Sequence, residues 1–532
     1  MKKRQILNLT LLALYVIMVV LEVFAVVGIL RLNMLPTGLA ILVVAVFLLI
    51  AVGIGFLLFY KSRRLKGKKA RKAVRTRRIV AGLAIILMLL ISIIVCIVTG
   101  DVLKTIEAVT QDEPAAVTRS VYVRTGDAAQ ELKDADSYTF GYVKNYDTEC
   151  TQQTVAEIQK VFGATPATAS YDSVFKMVDA LLNGQIDAII MNSGYVSVLE
   201  YEQAYADFST KTRVLAEVEI AGQTTEDPGK PVDPEDPEDP SDPGSEDPQT
   251  TDPADPTDPS EPAADGKIKP FVIYLSGSDT RSAMLKGGRS DVNILAVVNP
   301  NTRQVLLINS PRDFYVANPS GNNEMDKLTH CGIYGVGCSM KALGNLYDQK
   351  VDYYLQINFE GFKKAIDAMG GITVHSDYAF TAIQRTRIQA GDNFLNGQQA
   401  LDFARERYTL AGGDNARGKN QMKVIKAVIK KATSGTTIIN NYSAIISSLD
   451  GMFVMNIPMD LISDLVKMQL SDMSEWDVFS YAATGTGTMA ETYSAPGMKL
   501  SCIKPSEASV SKAIKLINKV MKGEEITESM VN

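Results

Sequence analysis

At 532 residues with 46% hydrophobic content, the chain is too long for one domain, and five cysteines are too few for disulfides to be its main source of stability. Charge is unevenly divided. Residues 1–100 carry fifteen Lys and Arg against a single acid, Glu22, and hold +14; the total of −6 leaves −20 for the other 432 residues, so the two parts face different surroundings.

Three apolar stretches come first, at about Ile6–Leu30, Thr37–Tyr60 and Ile79–Thr99. Each is long enough to cross a hydrocarbon core of roughly 30 Å as a helix. The first is too long for a signal-peptide core, and no small-x-small cleavage pattern follows it. Lys and Arg beside a span stay on the cytoplasmic side. Lys2-Lys3-Arg4 and the loop Lys61–Arg78, with eleven Lys and Arg, are therefore expected inside, and everything from about Asp101 onward outside. The expected location is the cell membrane, with a cytoplasmic N-terminus, three spans within residues 1–100 and a large extracellular C-terminal region. The basic loop sets topology; nucleic acid is not an expected partner.

Residues 115–222 alternate strand and helix patterns: "SYTFGYV", a helix near Thr151–Phe162, "SVFKMVDALLNG", then "QIDAIIMNSG". This predicts a small α/β accessory domain. It resembles one lobe of a periplasmic solute-binding protein and carries no catalytic constellation, which suits docking or sensing. Residues 223–268 form a linker: Glu226–Asp265 holds eleven prolines, fifteen acids and one lysine, a net −14. Proline and mutual repulsion favour an extended spacer of about 3.1 Å per residue, roughly 120 Å at full stretch.

The C-terminal domain, residues 269–520, begins with a short strand at Phe271–Leu275. Val292–Val298 and Gln304–Ile308 flank "NPNT" as a hairpin. "VDYYLQI" and "GGITVHS" are further strands around a helix near Phe359–Met369. Helical periodicity then dominates over Gly397–Ala404, Gly418–Ala432, Ile438–Asp450 and Asp460–Leu470. An α/β fold, with helices on both faces of a mixed central sheet, is the economical arrangement. Within it, "HCGIYGVGC" offers His330, Cys331 and Cys338, one ligand short of a structural zinc site, so a disulfide or two buried thiols fit it better.

Three strand ends each bring an arginine within two residues of an aspartate: Asp279 and Arg281, Arg289 and Asp291, Arg312 and Asp313. Ligand sites in open α/β sheets gather at strand ends. The helical half adds "ALDFARERY" and "GGDNARGKNQ". Arg405 and Arg407 can serve one site only if their helix ends near Arg405. Asp414 is a candidate N-cap, and Arg417 and Gln421, four apart, share one face of the next helix. Guanidinium forks match phosphate oxygens, and Asp279 and Asp291 could hold a hard cation such as Mg2+, so the set fits a diphosphate with metal. Neither histidine sits in a nucleophile context, and no Walker loop or GxSxG elbow is present. The chemistry reads as phosphoryl transfer.

The series "SGSDTR", "GRSDVNIL", "INSPRD", "DKLTH", "NGQQALDFARER" and "DNARGKNQ" resembles the LytR-CpsA-Psr family over roughly Phe271–Thr433 and on to about Asn518. The resemblance implies an extracytoplasmic phosphotransferase that moves a glycopolymer, of teichoic acid or capsular polysaccharide type, from polyprenyl diphosphate onto peptidoglycan. It implies Mg2+ at Asp279 and Asp291. It also implies diphosphate binding or assistance to transfer by Arg289, Arg312, Arg405, Arg407 and Gln421, a further basic position at Lys327, and an apolar tunnel for the polyprenyl chain. The sequence departs from the family pattern at Ala416, where glycine is usual, and at Asn420, where a second arginine is usual. Two other activities share the substrate class: envelope regulation without catalysis, and hydrolysis of the diphosphate.

Overall fold

The computed structural model describes residues 2–59, 67–109, 117–144, 148–200, 202–220, 267–278, 288–410, 413–434 and 453–532. The acidic linker, the helix expected over Ile438–Asp450, and the strand end bearing Asp279 and Arg281 lie outside the described residues.

Helices α1 (Lys2–Leu32), α2 (Thr37–Phe59) and α3 (Gly67–Val109) open the chain. Then follow β1 (Val117–Arg124), β2 (Thr139–Val143), α4 (Thr148–Phe162), β3 (Ala167–Tyr171), α5 (Val174–Leu182), β4 (Ala188–Asn192) and β5 (Thr212–Ile220). Beyond the linker come β6 (Phe271–Ser278), β7 (Ser290–Asn299), β8 (Gln304–Asn309), β9 (Tyr315–Ala317), β10 (Met325–Lys327), α6 (Val336–Tyr347), β11 (Tyr353–Asn358) and α7 (Phe359–Ala368). The remainder is β12 (Ile372–Ser376), β13 (Phe380–Thr381), β14 (Arg387–Ile388), β15 (Gly391–Leu395), α8 (Gly397–Arg405), α9 (Gly413–Thr433), β16 (Phe453–Met455), α10 (Met459–Asp472), β17 (Asp477–Ala482), β18 (Gly485–Thr492), β19 (Ala495–Pro505) and α11 (Glu507–Met521). Strand β6 pairs antiparallel with β7, and β11 with β16.

Strands β17 to β19 lie beyond the last helix expected from the sequence, in a stretch for which no element was predicted. In β18, "GTGTMAET", every residue except Ala490 and Thr492 is exposed, so no apolar alternation marks the strand. Its pairing with β19, from Gly485 opposite Pro505 to Thr492 opposite Ala495, supplies the missing organisation.

The chain forms two compact units. The first comprises Met1–Gln111, Thr302–Leu307 and Leu355–Ser480. Its helices are long and apolar enough to cross a membrane over Leu9–Leu32, Thr37–Phe59 and Lys72–Lys104. Small residues let them close: a Cβ on Gly28 would stand 2.6 Å from Thr99 Oγ1. At one end of α1 and α3, Met34 and Val102 pack against Met459, Ile462 and Val466 of α10. There Ser463 Oγ donates to the Leu32 carbonyl at 3.1 Å. A separate core gathers Ile366, Ile372, Leu395, Phe403 and Val424 from α7, β12, β15, α8 and α9. Each such side chain contributes about 1.5–3 kcal/mol by leaving water.

The second unit comprises Asp112–Asn301, Ile308–Tyr354 and Tyr481–Asn532. Its five-stranded sheet has the order β3-β2-β4-β1-β5, with β2 parallel to β3 and β4, and β1 antiparallel to β4 and β5. One face buries Val121, Val123, Phe140 and Ile158. The other buries Tyr122, Met177, Ile189 and Met191 in a cluster that continues through Ile333, Ala495, Leu500 and Cys502. The accessory lobe thus shares a core with residues from beyond the linker. Asn192 Nδ2 donates to the Ile333 carbonyl, and the Tyr195 and Tyr334 hydroxyls lie 2.6 Å apart.

Candidate active site

In the second unit, β6 and β7 pair antiparallel from Phe271 opposite Val298 to Ser278 opposite Ser290, with a register shift at Gly277 and Ser278. Such a shift re-aims side chains at a strand end. Arg289 precedes β7 and Asp291 is its second residue. The approach depends on Gly332, where a Cβ would meet the Gly288 carbonyl oxygen at 2.5 Å and the Ser290 nitrogen at 2.9 Å.

After β8, Pro311 ends the run and a tight turn follows, closed by Phe314 N donating to the Pro311 carbonyl at 3.0 Å. Proline cannot extend the ladder. The turn is held on both sides: the Arg312 carbonyl accepts from Thr329 N and the Asp313 carbonyl from Ile503 N, each at 2.8 Å, while Phe314 is fully buried. The result is a compact charge cluster. Arg312 Nη1 donates to Asp291 Oδ1, and Lys327 Nζ donates to Asp313 Oδ1 at 3.0 Å. Arg312 Nε stands 3.9 Å from Asp313 Oδ1. All four side chains are only partly exposed, so solvent screens them less than it would surface pairs.

Behind the cluster lies a buried network that sequence reasoning missed. Asp326, fully buried, accepts from Asn318 Nδ2, the Lys327 backbone N–H and Ser494 Oγ, and lies 2.7 Å from His330 Nδ1. Ser494 Oγ also lies 3.0 Å from the Tyr334 hydroxyl, which meets Tyr195 of the accessory lobe. A hydrogen-bonded path therefore runs from the lobe to the residue beside Lys327. The only sequence signal was "DKLTH", an acid four residues before a histidine. None of the five cysteines forms a disulfide; Cys331 and Cys338 are buried, and the Cys331 thiol is pushed up by its hydrogen bond to Cys338 and by burial.

In the first unit, α8 starts with a reciprocal cap between Asn396 and Gln399 and ends at Arg405, whose guanidinium lies 4.4 Å over the Phe359 ring. The chain then turns extended at Glu406, and Arg407 departs on a new course with its guanidinium 5.7 Å from the Tyr408 ring. Glu406 was the other residue missed. Its buried carboxylate accepts from the backbone N–H of Ile383, Arg407, Tyr408 and Thr409 at 2.7–2.9 Å. Burial works to raise its pKa, but these four bonds outweigh burial and hold it below the ordinary value. An acid between two arginines was the available signal.

Helix α9 begins at Gly413, in the left-handed region with φ 54°, so Asp414 sits inside the first turn and is not the N-cap. Arg417 is half-buried and Gln421 buried. Asn420 is buried and donates to the Phe403 carbonyl at 3.3 Å, tying α9 to α8. That is what stands at the departure from the family pattern.

The predicted residues therefore fall into groups. Asp291, Arg312, Asp313 and Lys327 are in contact, and Arg289 lies beside Asp291 in the chain. Arg405, Arg407, Arg417 and Gln421 belong to α8, α9 and the turn between them, in the first unit. Among the described residues no group of three or more His, Cys, Asp or Glu could hold a metal by itself.

Three membrane-length helices and a mixed α/β fold, with arginine, lysine and aspartate gathered in ion pairs at strand ends, define a membrane-anchored protein with a cluster of paired charges. The LytR_cpsA_psr family model matches residues 243–504, and the chain belongs to that family. A TagU polyisoprenyl-teichoic acid–peptidoglycan teichoic acid transferase from Enterococcus faecalis is 32% identical over 226 residues, 42% of this chain and 73% of the relative. Its counterpart from Bacillus licheniformis is 32% identical over 247 residues, 46% and 75% of the two chains. Among solved structures, B. subtilis TagV aligns with 22% identity and TM-score 0.41 over 49% of this chain and all of that one. TagT bound to LI-WTA aligns with 26% identity and TM-score 0.38 over 48% and 91%.

Proposed function

We propose that this protein is an extracytoplasmic phosphotransferase that attaches a polyprenyl-diphosphate-linked glycopolymer, a teichoic acid or a capsular polysaccharide, to peptidoglycan. The contact of Arg312 with Asp291 and of Lys327 with Asp313, inside the segment that matches the family, carries this reading. In such a transfer an acceptor hydroxyl attacks the glycan-side phosphorus, and the bond to the polyprenyl-phosphate leaving group breaks. Positioning and charge stabilisation are then most of the catalysis. Arg289, Arg312, Arg405, Arg407 and Arg417 supply guanidinium forks to phosphate oxygens, with Arg281, Lys327 and Gln421 as further donors. Asp313 orients Lys327.

Asp291 is a partly buried hard-oxygen donor. With Asp279 it suits Mg2+, an ion that completes its shell with phosphate oxygens and water and does not need a protein cage. Bound there, Mg2+ would offset the charge of the diphosphate. The basic loop at Lys61–Arg78 supports a cytoplasmic N-terminus and an extracellular catalytic domain.

The test incubates the full chain in detergent with a polyprenyl-diphosphate glycan and peptidoglycan. Covalent glycan–peptidoglycan product is expected with Mg2+, and none with Asp291→Ala. Free glycan phosphate as the sole product would identify a hydrolase, and no turnover of the wild type would leave regulation as the function. Product formed equally well by Asp291→Ala sinks the metal assignment.

A further inference from the structure

The accessory lobe has a cavity lined by none of the residues assigned to the transfer reaction. It opens beyond Val143 and Asn192, the last residues of the parallel strands β2 and β4, where α4 and α5 contribute Thr151 and Val174. Ligands in α/β sheets collect beyond the carboxyl ends of parallel strands. Arg119 of β1, opposite Asn192 in register, also lines it and is 3% exposed.

We propose that this cavity binds a small aliphatic carboxylate, with Arg119 as the group that recognises its charge. The planar fork of a guanidinium matches a carboxylate bidentately. Burial pulls the Arg119 pKa down, against the influence of Cys150, Tyr195 and Tyr334. Met177, Ile190 and Met191 make the wall apolar, which suits an aliphatic body and offers a fully polar anion little. Ser494 closes one side, so the ligand would sit beside the hydroxyl that bonds Asp326 and Tyr334.

Isothermal titration of the full chain in detergent micelles with butyrate, alanine and inorganic phosphate tests this. Saturable binding of butyrate or alanine is expected, at least tenfold tighter than phosphate. Arg119→Gln should weaken it more than tenfold, and Arg119→Lys less. Thr151→Phe, at a half-buried position in the cavity lining, should block binding without disturbing the lobe, as read by circular dichroism and thermal melting. No saturable carboxylate binding by the wild type, binding of phosphate alone, or carboxylate binding unchanged in folded Thr151→Phe would overturn the proposal.

Discussion

Lys327 donates from Nζ to Asp313 Oδ1 at 3.0 Å, joining the last residue of β10 to the turn that carries Arg312. The lysine is 12% exposed and the aspartate 25%, so neither charge is well solvated. A charge-assisted bond of this kind contributes about 1.5–3 kcal/mol. Lys327→Met should lower the transfer rate about tenfold to a hundredfold, with a melting temperature only a few degrees lower. Lys327→Arg should recover part of the rate. Turnover measured beside thermal melting separates the two effects; a rate loss that merely tracks unfolding would show the lysine to be structural.

Glu406→Gln should cost about 2–4 kcal/mol, because a neutral amide oxygen replaces an anion that receives four backbone N–H groups. The sign of the pH dependence follows from a folded pKa held below the ordinary 4.5. The stabilisation is fully present above that unfolded value and is lost as pH falls through the folded one. Denaturant unfolding at pH 7 and at lower pH should therefore show wild type and Glu406→Gln converging in acid. A constant gap across that range would remove the carboxylate from the account.

Gly332→Ala places a methyl against backbone atoms of Gly288 and Ser290 that cannot rotate away. Overpacking of this type costs about 1–3 kcal/mol. Because the displaced segment carries Arg289 and Asp291, turnover should fall further than stability requires. An unchanged melting point would show that the loop before β7 yields freely.

Asp326→Ala would leave Asn318, His330 and Ser494 without their shared buried acceptor, a loss of about 3–5 kcal/mol. Ser494→Ala is milder and cuts the link to Tyr334. Hydrogen exchange should then quicken in β4 and β19, which flank the shared core, and leave α8 and α9 unchanged. Uniform protection throughout would mean that Asp326 does not hold the lobe.

Much of the protein was legible from local pattern. The membrane-length helices follow from side chains that act along one continuous stretch, and β2, α5, β4, β6, β7 and β8 from apolar runs bounded by turn residues. The end of α8 at Arg405 could be posed as a condition for pairing two arginines, yet the helix ends there because Glu406 takes up backbone donors from Ile383 and from the next three residues. β18 was not legible, because its exposed Gly and Thr carry no apolar period.

The sequence by itself determined the membrane-length helices and the strand ends that bear Arg289, Asp291, Arg312 and Asp313. Those properties depend on residue type and near-neighbour spacing. Only the tertiary structure decided that Lys327 meets Asp313, that Asp326 and Ser494, separated by 168 residues, share a hydrogen bond, and that the accessory lobe and β19 bury one core. Such contacts arise when surfaces distant in sequence leave water together, and spacing along the chain carries no record of that partner choice.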